Sequence, residues 1–155
     1  MMHGAQNAYL EATMTSATPV QLVALLYQAG EDAAREALRH LERGDIAGRS
    51  QQISKLSAVI LELATALDHS RGGELSIRLA GLYRYMLERL TQANLEQKAE
   101  PICEVLTLLE TLGSAWRELA GKEIETPSTD YEPSGEWHGL HEELAGAHGS
   151  VAFSY

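Results

Sequence analysis

The sequence predicts an all-α protein: an antiparallel up-down four-helix bundle with a short N-terminal helical arm and a flexible acidic C-terminal tail. Three observations predict it. Leu, Ala and Glu are abundant while Val, Ile, Phe and Thr are comparatively sparse, a bias toward helix over sheet. Four long segments carry apolar residues in alternating steps of three and four, the period of a helix with one buried face. Turns of about two to six residues separate them, which makes consecutive helices antiparallel neighbours. With 155 residues the chain has room for one domain with a sizeable core. The net charge of −10 argues against a nucleic-acid partner, and equally against an anionic membrane surface. No apolar run approaches the ~18 residues of a membrane span, and no secretory signal is visible, so no membrane insertion is expected. The single Cys103 rules out an internal disulfide framework and fits a reducing cytoplasm.

Residues 1–16 form the arm, with a short helix around Ala5 to Met14 and Tyr9 and Leu10 as its large apolar contributors besides methionines. Such a helix is too short to stand alone, so it is expected to dock on the body or to move. The body, residues 17–121, opens on a hard-edged helix start. Thr18 is the N-cap, Pro19 takes the first helical position, and Gln21 completes a T-x-x-Q capping box. This first helix runs to about Arg43, with Gly44 as its C-cap. The second runs from near Asp45 to about Asp68 on the stripe Ile53, Leu56, Ile60, Leu63 and Leu67. Gly72-Gly73 makes the next turn, and the third helix starts near Glu74 with Leu75, Leu79, Leu82, Met86 and Leu90. The fourth spans about Ala99 to Ala120 with Pro101 in its first turn, and Gly121 closes it.

Composition then changes. Residues 122–155 carry Lys122 as their one basic side chain against seven acids, and Thr126 to Gly135 is a linker by its Pro, Ser and Gly content. Beyond it, Trp137, Leu140 and Leu144 share one edge of a short helix, and Phe153 follows. Solvating tails are poor in aromatics, so this one has the means to dock.

Catalytic and metal-binding patterns are missing from the sequence. No glutamate precedes a histidine by three residues, so a di-iron bundle site fails, and no phosphate loop, CxxC or HExxH occurs. His138 and His141 lie one turn apart but lack a fixed third metal ligand. Cys103 has no cationic company to activate it. No enzyme activity and no cofactor are expected. What remains is surface: Leu25, Leu61, Leu87, Leu95, Leu106 and Leu108 fall off the main seams, most of them as ordinary core flank and some available to line a groove for partner helices.

One set of residues is more specific than its physics. Tyr9, Thr15-Ser16-Ala17-Thr18-Pro19 and Leu22 to Tyr27 open a collinear series. It continues through Lys55, Val59-Ile60, Glu62-Leu63, Leu67-Asp68 and Gly72-Gly73-Glu74. Leu79, Leu82-Tyr83, Tyr85-Met86, Arg89-Leu90 and Ala93-Asn94 follow, and Glu104-Val105, Leu108-Leu109, Leu112 and Trp116 end it. Over residues 6–120 the chain resembles the FliS family, the flagellin export chaperones. The resemblance implies a cytoplasmic bundle that binds the disordered C-terminal segment of flagellin, prevents premature polymerisation and delivers it to a component of the flagellar export gate. It implies partner-binding roles for Tyr9 and Leu10 in the arm, Ile53, Leu56, Ile60 and Leu63 in the second helix, and Leu79 and Tyr83 in the third. Tyr27, Leu82, Met86 and Trp116 are expected to be structural. Leu56-Ser57 departs from the family's usual Ala-Gln, and the acidic aromatic tail has no counterpart. The alternative is an adaptor bundle that binds another helix, such as a regulator of flagellar gene expression. Weak self-association through groove residues stays open.

Overall fold

The computed structural model describes residues 16–125, together with Ala5. The expected arm helix with Tyr9 and Leu10, and the tail beyond residue 125, lie outside the described residues. Four helices make up the body: α1 (Pro19–Glu42), α2 (Ile46–Thr65), α3 (His69–Glu96) and α4 (Glu100–Glu125). Each packs against its neighbour in sequence, and α4 returns against α1 to close the ring. Cross-helix bonds fix the antiparallel sense. On α1 and α4, Thr18 meets Glu123, Glu31 meets Arg117 and Arg35 meets Glu110.

The helix ends follow from local chemistry. At the start of α1, Thr18 Oγ1 accepts from the Gln21 N–H at 3.2 Å and Gln21 Oε1 accepts from the Thr18 N–H at 3.0 Å, the reciprocal capping box. At its other end Gly44 takes φ +69°, a conformation that a side chain disfavours. The Asp45 N–H then donates to the His40 carbonyl at 2.9 Å and the Gly44 N–H to Leu41 at 3.1 Å. Asp45 at once caps α2, accepting from the Gly48 N–H at 2.9 Å. Three residues thus reverse the chain.

One expected boundary is extended and one is corrected. The long helix expected from near Glu74 is preceded by a further helical turn, and the break falls at Gly73 as the glycine pair predicts. Asp68 caps a first turn at His69, accepting from the Ser70 and Arg71 N–H groups, and only Gly73 breaks the geometry (φ 52°, ψ −129°). Helix α4 does not close at Gly121 but continues to Glu125, held where Thr18 Oγ1 donates to Glu123 at 2.6 Å.

The core is one cluster along the bundle axis. Tyr27, Leu56, Ile60, Leu63, Met86, Leu90, Ile102, Val105 and Leu109 are fully buried in it. Small residues on α1 let its neighbours close in. A methyl group added at Gly30 would stand 3.3 Å from Leu109 Cδ1 and 3.5 Å from Leu56 Cδ1, so α2 and α4 converge on that glycine. Polar groups inside are few and mostly answered. Glu31, 3% exposed, receives Arg117 at 2.8 Å. Arg49, equally buried, reaches the backbone and side-chain oxygens of Asn94 at 3.4 Å, among the last carbonyls of α3 where the helix end favours a cation. Its Nε has no hydrogen-bond partner.

Candidate functional site: an apolar cleft and seam

The six body residues expected to touch a partner are all interior. Ile53, Leu56, Ile60, Leu63, Leu79 and Tyr83 belong to the core cluster, and none is more than 8% exposed. They shape the bundle from beneath and form no surface of their own. The off-seam leucines divide. Leu25, Leu61 and Leu95 are exposed, whereas Leu87, Leu106 and Leu108 lie half-buried against the core. Of the residues expected to be structural, Tyr27 and Met86 are fully buried, while Leu82 and Trp116 sit at the edge of the core.

At the end of the bundle where α1 starts, the helices leave an open cleft of ≈ 620 Å³. The first turns of α1 supply Pro19, Val20, Leu22, Val23 and Leu26. The end of α2 supplies Glu62, Thr65 and Ala66, the start of α3 supplies Asp68 and Arg71, and α4 supplies Trp116. The floor is held by a buried polar relay. Trp116 bonds to the Tyr27 hydroxyl, and Tyr27 and Tyr83 share a 2.6 Å hydrogen bond. An indole N–H only donates, so the Tyr27 oxygen is the acceptor there and the ring of Trp116 is held in one pose. Burial pushes the Tyr27 hydroxyl up to about 12, against the lowering effect of its bonds to Tyr83 and Trp116. Burial, with Tyr27 beside it, raises Tyr83 further. Both therefore stay protonated and neutral at physiological pH.

An apolar seam lies along the flanks of α3 and α4. Arg89 Nε donates to Glu104 at 2.7 Å, and Tyr85 donates to the same carboxylate. These bonds settle which flanks face each other. Continuing from Glu104 at helical spacing, the α4 flank reads Leu108, Leu112, Ala115 and Leu119; the α3 flank reads Leu82, Arg78 and Leu75, with Arg78 paired to Glu74. Leu82, Leu108 and Leu112 are half-buried, and Leu75 and Leu119 are 57% and 48% exposed. A tyrosine and an ion pair thus pin one end of the seam, while its other end, toward Trp116, is mainly hydrocarbon with the Arg78–Glu74 pair at its margin.

Sequence reasoning missed the cleft residues at the start of α1. Their signal was present: Val20, Leu22, Val23 and Leu26 make an apolar band wider than a single bundle stripe. Among the described residues no group of three or more His, Cys, Asp or Glu side chains is placed to hold a metal, and Cys103 is exposed. His138 and His141 lie outside the described residues. No described helix is long and apolar enough to cross a membrane.

Fold and cleft together define the class: a helical bundle with an open cleft at one end, lined by apolar side chains of α1 and Trp116 with Glu62, Asp68 and Arg71 at its margin. Comparison with known proteins narrows it. The family model described as flagellar protein FliS matches residues 1–123. The chain is 37% identical over 114 residues to the flagellar secretion chaperone FliS of Salmonella typhimurium, covering 73% of this chain and 84% of that protein. It is 37% identical over 111 residues to the flagellar secretion chaperone FliSB of Pseudomonas aeruginosa, covering 72% and 88%. With the FliS of Bacillus subtilis it shares 30% over 112 residues, covering 72% and 83%. The chain belongs to the FliS family, and its role is that of a chaperone in flagellar export with a flagellar substrate as partner.

Proposed function

We propose that this chain works in the cytoplasm as the export chaperone of a flagellin. It binds the disordered C-terminal segment of flagellin, keeps it from polymerising early and passes it to a component of the flagellar export gate. The observation that supports this most is the apolar face formed by the Trp116 cleft and the α3–α4 seam. A segment that folds into amphipathic helices on such a face hides the surfaces it would otherwise offer to other flagellin chains. Ordering a disordered partner costs part of the interaction energy, which keeps the complex releasable at the export machinery. Leu75, Leu82, Leu108, Leu112, Leu119 and Trp116 are the side chains that make the contact. Tyr9 and Leu10 of the arm are further partner contacts in this reading. No step of this cycle makes or breaks a covalent bond in the chain.

Calorimetric titration with a peptide spanning the C-terminal segment of the organism's flagellin tests the reading. A one-to-one complex with a large negative heat-capacity change is expected, the mark of apolar burial coupled to folding. No heat at any temperature, or binding that leaves the seam and cleft substitutions without effect, overturns it.

A further inference from the structure

We propose that the segment from Trp137 to Phe153 is a tethered occupant of the Trp116 cleft, seated there until a partner displaces it. Its effect on affinity rests on the export reading above; the docking itself does not.

The exit point of the chain carries the proposal first. Thr18 Oγ1 and Glu123 are joined at 2.6 Å, and the next residue after Thr18, Pro19, lines the cleft. The chain therefore leaves the described body at the rim of the cleft. From Trp116 to Glu125 the helix advances only about 14 Å. Residues 126–136, extended, span up to roughly 36 Å. The return to Trp116 fits well within that reach, with slack for a turn.

Composition supplies the second observation. Trp137, Leu140 and Leu144 recur at steps of three and four, and Phe153 is the chain's only phenylalanine. Residues 126–155 contain no lysine or arginine, and His141 is the one basic side chain between Trp137 and Leu144 that shares their edge. The cleft offers the matching surface: Val20, Leu22, Leu26 and the face of Trp116. Leu119 and Ile124 on α4, 48% and 74% exposed, extend hydrocarbon from the cleft toward the point where the tail departs. The match to the family model ends at residue 123, so the segment is an addition to the shared body. A short flexible linker holds a ligand at an effective concentration in the millimolar range, so even a weak fit keeps the cleft largely filled.

The test uses the full chain. The two indole N–H resonances are assigned with Trp137→Phe, and spectra are then compared between the unchanged protein and the triple substitution Trp137→Ser, Leu140→Ser, Leu144→Ser. The expected result is a shift of the Trp116 indole signal together with the amides of Val20, Leu22 and Arg71, all remote in sequence from the changes. Signals that move only within residues 126–155 overturn the proposal. So does a cleft that responds to Tyr9→Ser and Leu10→Ser alone, since the arm would then be the occupant. The same triple substitution is expected to tighten binding of the flagellin peptide about tenfold, the gain that corresponds to a cleft filled by the tail about nine-tenths of the time. Shifts at the cleft combined with no peptide binding by either protein would support the docking and count against the flagellin reading alone.

Discussion

Replacing Tyr83 by Phe separates an interior role from a partner-binding one. Tyr83 is 1% exposed and its hydroxyl lies 2.6 Å from that of Tyr27. The substitution keeps the ring and removes one buried hydrogen bond, worth ~1 kcal/mol. For a domain of this size that lowers the melting temperature by about 3–4 °C and the urea midpoint by about 0.5 M, with the slope of the unfolding transition unchanged. Tyr27→Phe is expected to cost more, about 2–3 kcal/mol, because Trp116 and Tyr83 both lose the oxygen they bond to. The assay is urea unfolding followed by circular dichroism, paired with titration of the flagellin peptide. Peptide affinity should stay within about twofold for Tyr83→Phe, since nothing at the surface has changed. A normal urea midpoint with tenfold weaker binding would refute the interior assignment. The same pair gives a pH signature. Tyrosines whose folded values are raised contribute stability that is intact below the ordinary value of 10.0 and is lost as the pH climbs through about 12. The urea midpoint should therefore fall over that window, and less steeply in Tyr83→Phe.

Three further outcomes follow from particular contacts. Gly113→Ala places a methyl group 2.6 Å from Glu31 Oε1 and 3.1 Å from Tyr27 Cβ; it should displace Glu31 from Arg117 and cost about 1–3 kcal/mol, read by denaturant unfolding. Gly73→Ala, at φ 52° and ψ −129°, forces a side chain into a strained backbone and should destabilise the protein by about 1–3 kcal/mol although the added atom meets nothing; an unchanged midpoint would mean that the kink is not fixed. Asp45 and Asp68 are held below their ordinary value of 3.8, chiefly by the Gly48 N–H and by Ser70 respectively. Their stabilisation is present above that value and lost as the pH falls through the depressed values, so Asp45→Asn and Asp68→Asn should each flatten the acid limb of a stability profile.

Much of the fold was legible because its signals are local. The capping box at Thr18, the left-handed Gly44 and the three-and-four spacing of the stripes each require only a few neighbouring residues. The boundary at Gly121 differed because it depends on a distant partner. Gly121 has the composition of a helix stop, yet α4 continues because Glu123 is tied to Thr18 across the bundle. Gly72 and Gly73 look alike in sequence, but Asp68 draws the first of them into a helical turn. The candidate site was less legible for a deeper reason. A residue that closes a bundle core and one that greets an amphipathic partner share the same period, so Ile53, Leu56, Ile60, Leu63, Leu79 and Tyr83 satisfied both descriptions until packing placed them inside. Hydropathy likewise gave no sign that Arg49 is buried, because its partner Asn94 is 45 residues away.

The Thr18–Glu123 bond also bears on how the body can be cut and rejoined. Its two ends meet at one pole, while the opposite pole holds two tight connections, Arg43 to Asp45 and Gln97 to Ala99. In packing terms the four helices form a closed cycle from which one link happens to be omitted. A circular permutant that joins Glu123 to Thr18 through a short loop and opens the chain beside Gln97 would keep every helix contact, and its new termini would stand at the pole far from the cleft. Tags and fluorophores inserted beside Gln97 would likewise stand at the pole far from the cleft.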